Sequence, residues 1–159
     1  MSVHSIKMVQ HIPVTMQQAW AFFSNAANLQ QITPAYLKLR IISLHHGAQV
    51  YPGQIIEYRV RPVLNFSWYW MTEITHVQEP VFFVDEQRYG PYSLWHHQHH
   101  FKLVPGGVQM TDIVHYKIPM GFIGDIVNRL FVRKQLDDLF KYRYQQVERL
   151  FGKWETMGI

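Results

Sequence analysis

The 159-residue sequence contains no cysteine, which removes disulfides, thiolate nucleophiles and cysteine-ligated zinc from consideration. It has no Gly-x-Ser-x-Gly elbow. Its one Gly-Gly pair, Gly106-Gly107, follows a proline as a hairpin turn does, rather than opening a phosphate-binding helix. No apolar run approaches the roughly 20 residues of a membrane-spanning helix, and the N-terminus lacks a basic-then-apolar targeting pattern. The expectation is a soluble, cytoplasmic chain with no integral membrane segment. Charged residues make up only 16%, and the net charge of +4 is spread without any lysine- or arginine-rich run. Nucleic-acid binders concentrate cations on one face, so no nucleic-acid partner is expected.

What the chain has instead is aromatic side chains, 15% of residues, and ten histidines. At this length a single domain over residues 1–159 is the simplest organisation, long enough to bury a sizeable core. The aromatic share suits either a thickly packed interior or an interior that is partly a pocket.

Val3 to Ile12 alternates loosely and reads as a strand closed by Pro13. Thr15 occupies an N-cap position, with Gln18 three residues on, before a short helix carrying Ala19, Trp20, Phe22 and Phe23. Asn25 caps a second short helix over 26–32, which Thr33-Pro34 ends. Strand patterns then follow over 39–44, 54–61, 66–77, 81–89, 94–103 and 108–118. Turn signals separate them at His46-Gly47, Pro52-Gly53, Pro62 to Asn65, Glu79-Pro80, Gly90-Pro91 and Pro105-Gly106-Gly107. From Phe122 to Phe151 the pattern is helical, about 45 Å long. Leu136, Leu139, Phe140, Val147, Leu150 and Phe151 mark its buried stripe. Its other faces, with Arg129, Arg133, Lys134, Lys141 and Arg149, read as a solvated surface, or alternatively as a docking face for a partner or an anionic membrane.

Hairpin-length connections predict antiparallel neighbours. The predicted fold class is therefore α+β: a curved antiparallel sheet of about seven strands wrapped around one long C-terminal helix, with two short helices after the first strand. A bent sheet around a single helix tends to leave a cavity.

Several local motifs sit inside this order: Phe83-Val84-Asp85-Glu86-Gln87, Gly90-Pro91-Tyr92, Trp95-His96-His97-Gln98-His99, Thr111-Asp112, Pro119-Met120-Gly121 and Phe131-Val132-Arg133-Lys134-Gln135-Leu136. Over essentially its whole length the chain resembles the START-like (SRPBCC) superfamily of Bet v 1-type helix-grip proteins, polyketide cyclases and coenzyme Q-binding proteins. The motifs resemble a bacterial ligand-binding or cyclase-like branch, sometimes labelled cell-division-inhibitor-like. The resemblance implies a fold and a pocket for a small hydrophobic ligand such as a lipid, isoprenoid or polyketide-like aromatic. It carries no agreed catalytic residues and no cofactor. A non-enzymatic binding protein, monomeric or homodimeric, is the leading expectation; a cyclase or dehydratase is the alternative.

The chemistry concentrates in the strand at 94–103. Side-chain alternation puts Trp95, His97, His99, Phe101 and Leu103 on one face, and Leu94, His96, Gln98, His100 and Lys102 on the other. A tight turn at Pro105-Gly106-Gly107 pairs Trp95 with Tyr116, His97 with Val114, His99 with Asp112 and Phe101 with Met110. His99 and Asp112 are the candidate acid/base pair, since a facing carboxylate favours the charged imidazole; a self-satisfied pair in a packed core is the alternative. The candidate ligand-binding set is Tyr58, Trp70, Phe83, Trp95, His97, His99, Asp112 and Tyr116. Asp85 and Gln87 join the same wall if the Gly90-Pro91 turn pairs Asp85 with Trp95, or else bond to loop backbone. His97 and His99 lie about 6.6 Å apart along the strand, close enough to share an ion, with Asp112 or His76 as third ligand. No second metal-binding motif accompanies them, and no metal is expected.

Overall fold

A computed structural model describes residues 2–44, 47–61 and 67–155. The turn signals at His46 and at Pro62 to Asn65, and the predicted strand start at Phe66, lie outside the described residues. Seven strands form one sheet: β1 (His4–Ile12), β2 (Arg40–Leu44), β3 (Gln54–Val60), β4 (Trp68–Gln78), β5 (Phe82–Tyr89), β6 (Leu94–Val104) and β7 (Gly107–Lys117). Their order is β1-β7-β6-β5-β4-β3-β2, with every neighbouring pair antiparallel. The first strand thus lies beside the last.

Between β1 and β2, helix α1 (Met16–Phe23) starts on a complete capping box, Thr15 and Gln18 each bonding the other's backbone. Asn25 caps the following 3-10 helix, Ala26–Ile32, through the amide of Ala27. A further 3-10 turn, Ala35–Leu37, leads into β2. Trp20 from α1 meets Phe83 and Phe101 edge-on, with ring centroids 5.9 and 5.7 Å apart, which closes one end of the sheet.

The β6–β7 hairpin has the register expected from its turn: Trp95 opposes Tyr116, His97 opposes Val114 and His99 opposes Asp112. Val104 pairs with Gly107, leaving Pro105 and Gly106 as the two central residues. Gly106 has φ +89, the value a Pro-Gly type II turn demands and a Cβ would strain. The β5–β6 connection departs from expectation. Asp85 pairs with His97 rather than Trp95, because Gly90-Pro91 sits in a wider loop that Gln87 closes. The Gln87 amide donates to Tyr92 O at 2.6 Å, and its oxygen accepts from Tyr92 N at 3.3 Å. A shift of two residues preserves the face, so Asp85 still points inward, one pair further along.

The C-terminal helix runs from Gly121 to Phe151 in three joined pieces. They are α2 (Gly121–Val127), one π turn (Asn128–Val132) and α3 (Arg133–Phe151). Its start is tight: a Cβ on Gly124 would stand 2.2 Å from Pro119 O. The π turn carries buried Asn128 and Val132 against β7, where Asn128 Oδ1 accepts from the Tyr116 hydroxyl at 2.9 Å. Along α3, Leu136, Phe140 and Val147 are buried, but Leu150 is 46% exposed. Phe151, one position on, takes the inward place and meets Phe22 at 5.0 Å. The outer face at the start of this helix is not simply charged, since Met120, Phe122, Ile126, Leu130 and Phe131 are all more than half exposed.

Candidate functional site

A cavity lies between the sheet, the 3-10 helix after α1, and α3. The space open to the centre of a water-sized sphere is about 190 Å³, where a single water needs roughly 10–15 Å³. Its walls are mostly apolar, including Leu29, Ile32, Ile56 and Ile74 on one side and Leu136 and Leu139 from α3 on the other. Strand alternation explains the sheet side. Ile56, Tyr58 and Val60 of β3 all turn inward, as do Thr72 and Ile74 of β4.

One wall is polar. His97 and His99 of β6, Asp85 of β5 and Asp112 of β7 come together as a four-membered cluster. Asp112 Oδ1 accepts from His97 Nε2 at 3.1 Å. The same oxygen lies 2.8 Å from His99 Nδ1 but out of line for a hydrogen bond, so this is a charge contact rather than a shared proton. Asp85 Oδ2 accepts from His99 Nε2 at 2.9 Å and stands 3.4 Å from His97 Nδ1. The two imidazoles are 3.8 Å apart, centroid to centroid. Phe83 stacks on His99 at 4.2 Å with the rings 19° from parallel, a cation–π contact when His99 is charged.

The cluster divides its charge unevenly. Burial works against a charged His99, but Asp112 and Asp85 outweigh it and raise its pKa from 6.5 to about 9. Burial and then the charge of His99 push His97 down, leaving it the neutral member at pH 7. Burial alone would raise both carboxylic acids. The imidazoles reverse this and hold Asp85 and Asp112 below the ordinary carboxylate range. Arg143 of α3 lines the cavity too, and its field helps to hold Asp85 ionised. Its Nε is buried with no hydrogen-bond partner among the described residues, and its guanidinium sits 5.2 Å from the centre of the Phe140 ring. Burial and then the charge of Asp85 push the Tyr58 hydroxyl well up, so it stays a neutral donor.

Of the eight expected ligand-binding residues, Tyr58, Trp70, Phe83, Trp95, His97 and His99 line the cavity. Asp112 and Tyr116 do not. Asp112 lies behind the imidazoles and reaches the cavity only through them. Tyr116 is fully buried, held by Asn128 of the π turn and packed with Ile6, Val114 and Val132 behind the cavity-lining Trp95. Both sit on β7, one strand further round the sheet than the polar wall. His76, the other suggested third ligand, is exposed at the β4 bulge and contacts Thr75 Oγ1. On the outer face, His96 instead contacts Glu86 at 3.0 Å.

Sequence reasoning missed Arg143 and Tyr92 in the cavity wall. Arg143 had a readable signal. It follows Leu136 by seven residues and Leu139 by four, which places a cation on the buried stripe of the helix.

No protein-family model matches the sequence, and no curated protein matches it. Solved structures do match by shape. Protein CV1439 from Chromobacterium violaceum has a TM-score of 0.71 at 6% identity, covering 94% of this chain and 98% of that one. Protein Ms6760 from Mycobacterium smegmatis has a TM-score of 0.67 at 13% identity, covering 94% and 96%. Major latex-like protein 151 from Panax ginseng has a TM-score of 0.65 at 12% identity, covering 94% and 97%. At these identities the likeness is one of fold, and the fold is the Bet v 1-like helix grip.

Proposed function

We infer that the chain binds a small, largely apolar molecule that carries one polar group. The body of the molecule sits among Trp70, Trp95, Tyr58, Phe83 and the α3 leucines, and its polar group meets the Asp85–His97–His99 wall. The observation that carries this reading is the combination of a cavity of about 190 Å³, mostly apolar, with a single buried polar cluster on one side. A lipid, an isoprenoid or a polyketide-like aromatic fits that description. The test is a polarity-sensitive naphthalene dye titrated against the wild type and against Leu139→Trp, which fills the cavity from its α3 side. We expect saturable binding of one dye per chain, weakened at least about tenfold by the filling variant. Dye binding that the variant leaves unchanged would place the apolar site elsewhere, such as the exposed face around Phe122 and Phe131.

The enzymatic reading uses His99 and Asp112 as a proton-transfer pair on a bound polyketide. His99 lining the cavity favours it. Against it, both ring nitrogens of His99 already face carboxylates, so neither is free to reach a substrate proton without breaking the cluster. Binding is therefore the stronger reading. Turnover of a polyketide substrate that His99→Ala abolishes, with dye binding kept, would reverse the order.

A further inference from the structure

We propose that Asp85, His97 and His99 form a binding site for one divalent transition-metal ion in the cavity wall. One ligating atom from each lies within 4.8 Å of the others. The contacts resolve into two layers. His99 Nε2 and His97 Nδ1 both face the same Asp85 oxygen, at 2.9 and 3.4 Å. The other nitrogen of each ring, His97 Nε2 and His99 Nδ1, faces one Asp112 oxygen, at 3.1 and 2.8 Å.

That arrangement is what a metal centre requires of its surroundings. Ligating imidazoles turn their second nitrogen to a carboxylate, which fixes the tautomer and the ring orientation. Here Asp112 does this for His97 by a hydrogen bond, and stands beside the second nitrogen of His99 as a charge contact. With metal–ligand bonds of about 2.1 Å, adjacent ligands stand about 3.0 Å apart in an octahedron and about 3.4 Å apart in a tetrahedron. The two separations from Asp85 fall in that range of about 3.0–3.4 Å, without selecting one geometry. Backbone register explains why the atoms converge: Asp85 opposes His97 directly across β5–β6, and His99 is the next inward residue on β6.

Two nitrogens and one carboxylate oxygen suit the Fe2+ to Zn2+ range better than magnesium or calcium, which favour all-oxygen sites. Three protein ligands leave at least one position open. All three residues line the cavity, so the open position faces the bound molecule. An ion there would take an oxygen of that molecule, a carbonyl, carboxylate or phenolate, as its next ligand. Arg143 lines the same cavity and acts on Asp85, and the charges of Asp85 and Asp112 offset its repulsion.

The test needs no bound organic molecule, so it is independent of the apolar-ligand reading. Metal-stripped wild-type protein is titrated with Co2+ and followed by visible absorption and by paramagnetically shifted proton NMR. We expect one equivalent to bind, with d–d bands and shifted ring-proton signals from two imidazoles. His97→Asn and His99→Asn should each abolish the bands, and Asp112→Asn should weaken binding by about 10–100-fold. The double variant His96→Ala/His100→Ala, on the outer face of the same strand, should bind as the wild type does. The wild-type spectrum alone decides the matter if an inward variant fails to fold. No stoichiometric binding, shifts from other histidines, or loss of binding in the outer-face variant would overturn the proposal.

Discussion

His99 is the residue at which the polar wall is most sensitive. In the metal-free protein it faces Asp112 on β7, Asp85 on β5, His97 on its own strand and, through Asp85, Arg143 on α3. Its folded pKa is raised to about 9. It therefore contributes stability that is complete below its ordinary value of 6.5 and lost as pH rises through about 9. His97 is depressed, so its contribution runs the other way and is lost as pH falls below 6.5. The cluster should be at its best near pH 6.5. Urea unfolding of EDTA-treated protein should lose on the order of a few kcal/mol between pH 6.5 and 9. Asp112→Asn removes one of the two carboxylates responsible, so its loss over that interval should be smaller. A flat wild-type profile, or an equal decline in the variant, would show that the cluster does not hold a proton on His99.

At the scale of elements, the site depends on where β7 hands over to the C-terminal helix. Gly124 lies against the carbonyl of Pro119, and a Cβ there would come within 2.2 Å of it. Gly124→Ala should cost about 1–3 kcal/mol by forcing the first turn of α2 outward. Because the π turn follows directly, Asn128 should be drawn off Tyr116 as well. Thermal unfolding measures the cost, and a variant as stable as the wild type would mean the turn relaxes freely. The same region marks how far the sequence could be read. Strands announced themselves through alternation and punctuation, and the Pro105-Gly106 turn fixed the β6–β7 register because a two-residue loop permits no other. The Gly90-Pro91 loop did not fix β5–β6, since its register is set by the Gln87 side chain bonding backbone five residues away. Nothing local marks such a bond, and so alternation gives Asp85 its inward face but not its partner, His97. The π turn was equally hidden, since it answers to burial of Asn128 against a strand distant in sequence.

Across the whole molecule, a seven-stranded sheet and one helix enclose a space that neither fills. Tyr58, Trp70, Phe83 and Trp95 were legible as its lining because they fall on the inward face of strands whose period is clean. Tyr116 obeys the same period but sits on the strand that β1 and the π turn cover, and periodicity cannot tell a covered stretch of sheet from an open one. Among the described residues, apolar surface is thus available inside the cavity and, as a contiguous run of side chains, on the exposed start of the C-terminal helix. The measurement that separates them is a two-dimensional amide NMR titration with the naphthalene dye. Binding in the cavity predicts saturable shifts at residues bordering it, among them Ile56, Thr72, Trp95 and Leu136. Shifts confined to residues 120–131, or none at saturating dye, would contradict it.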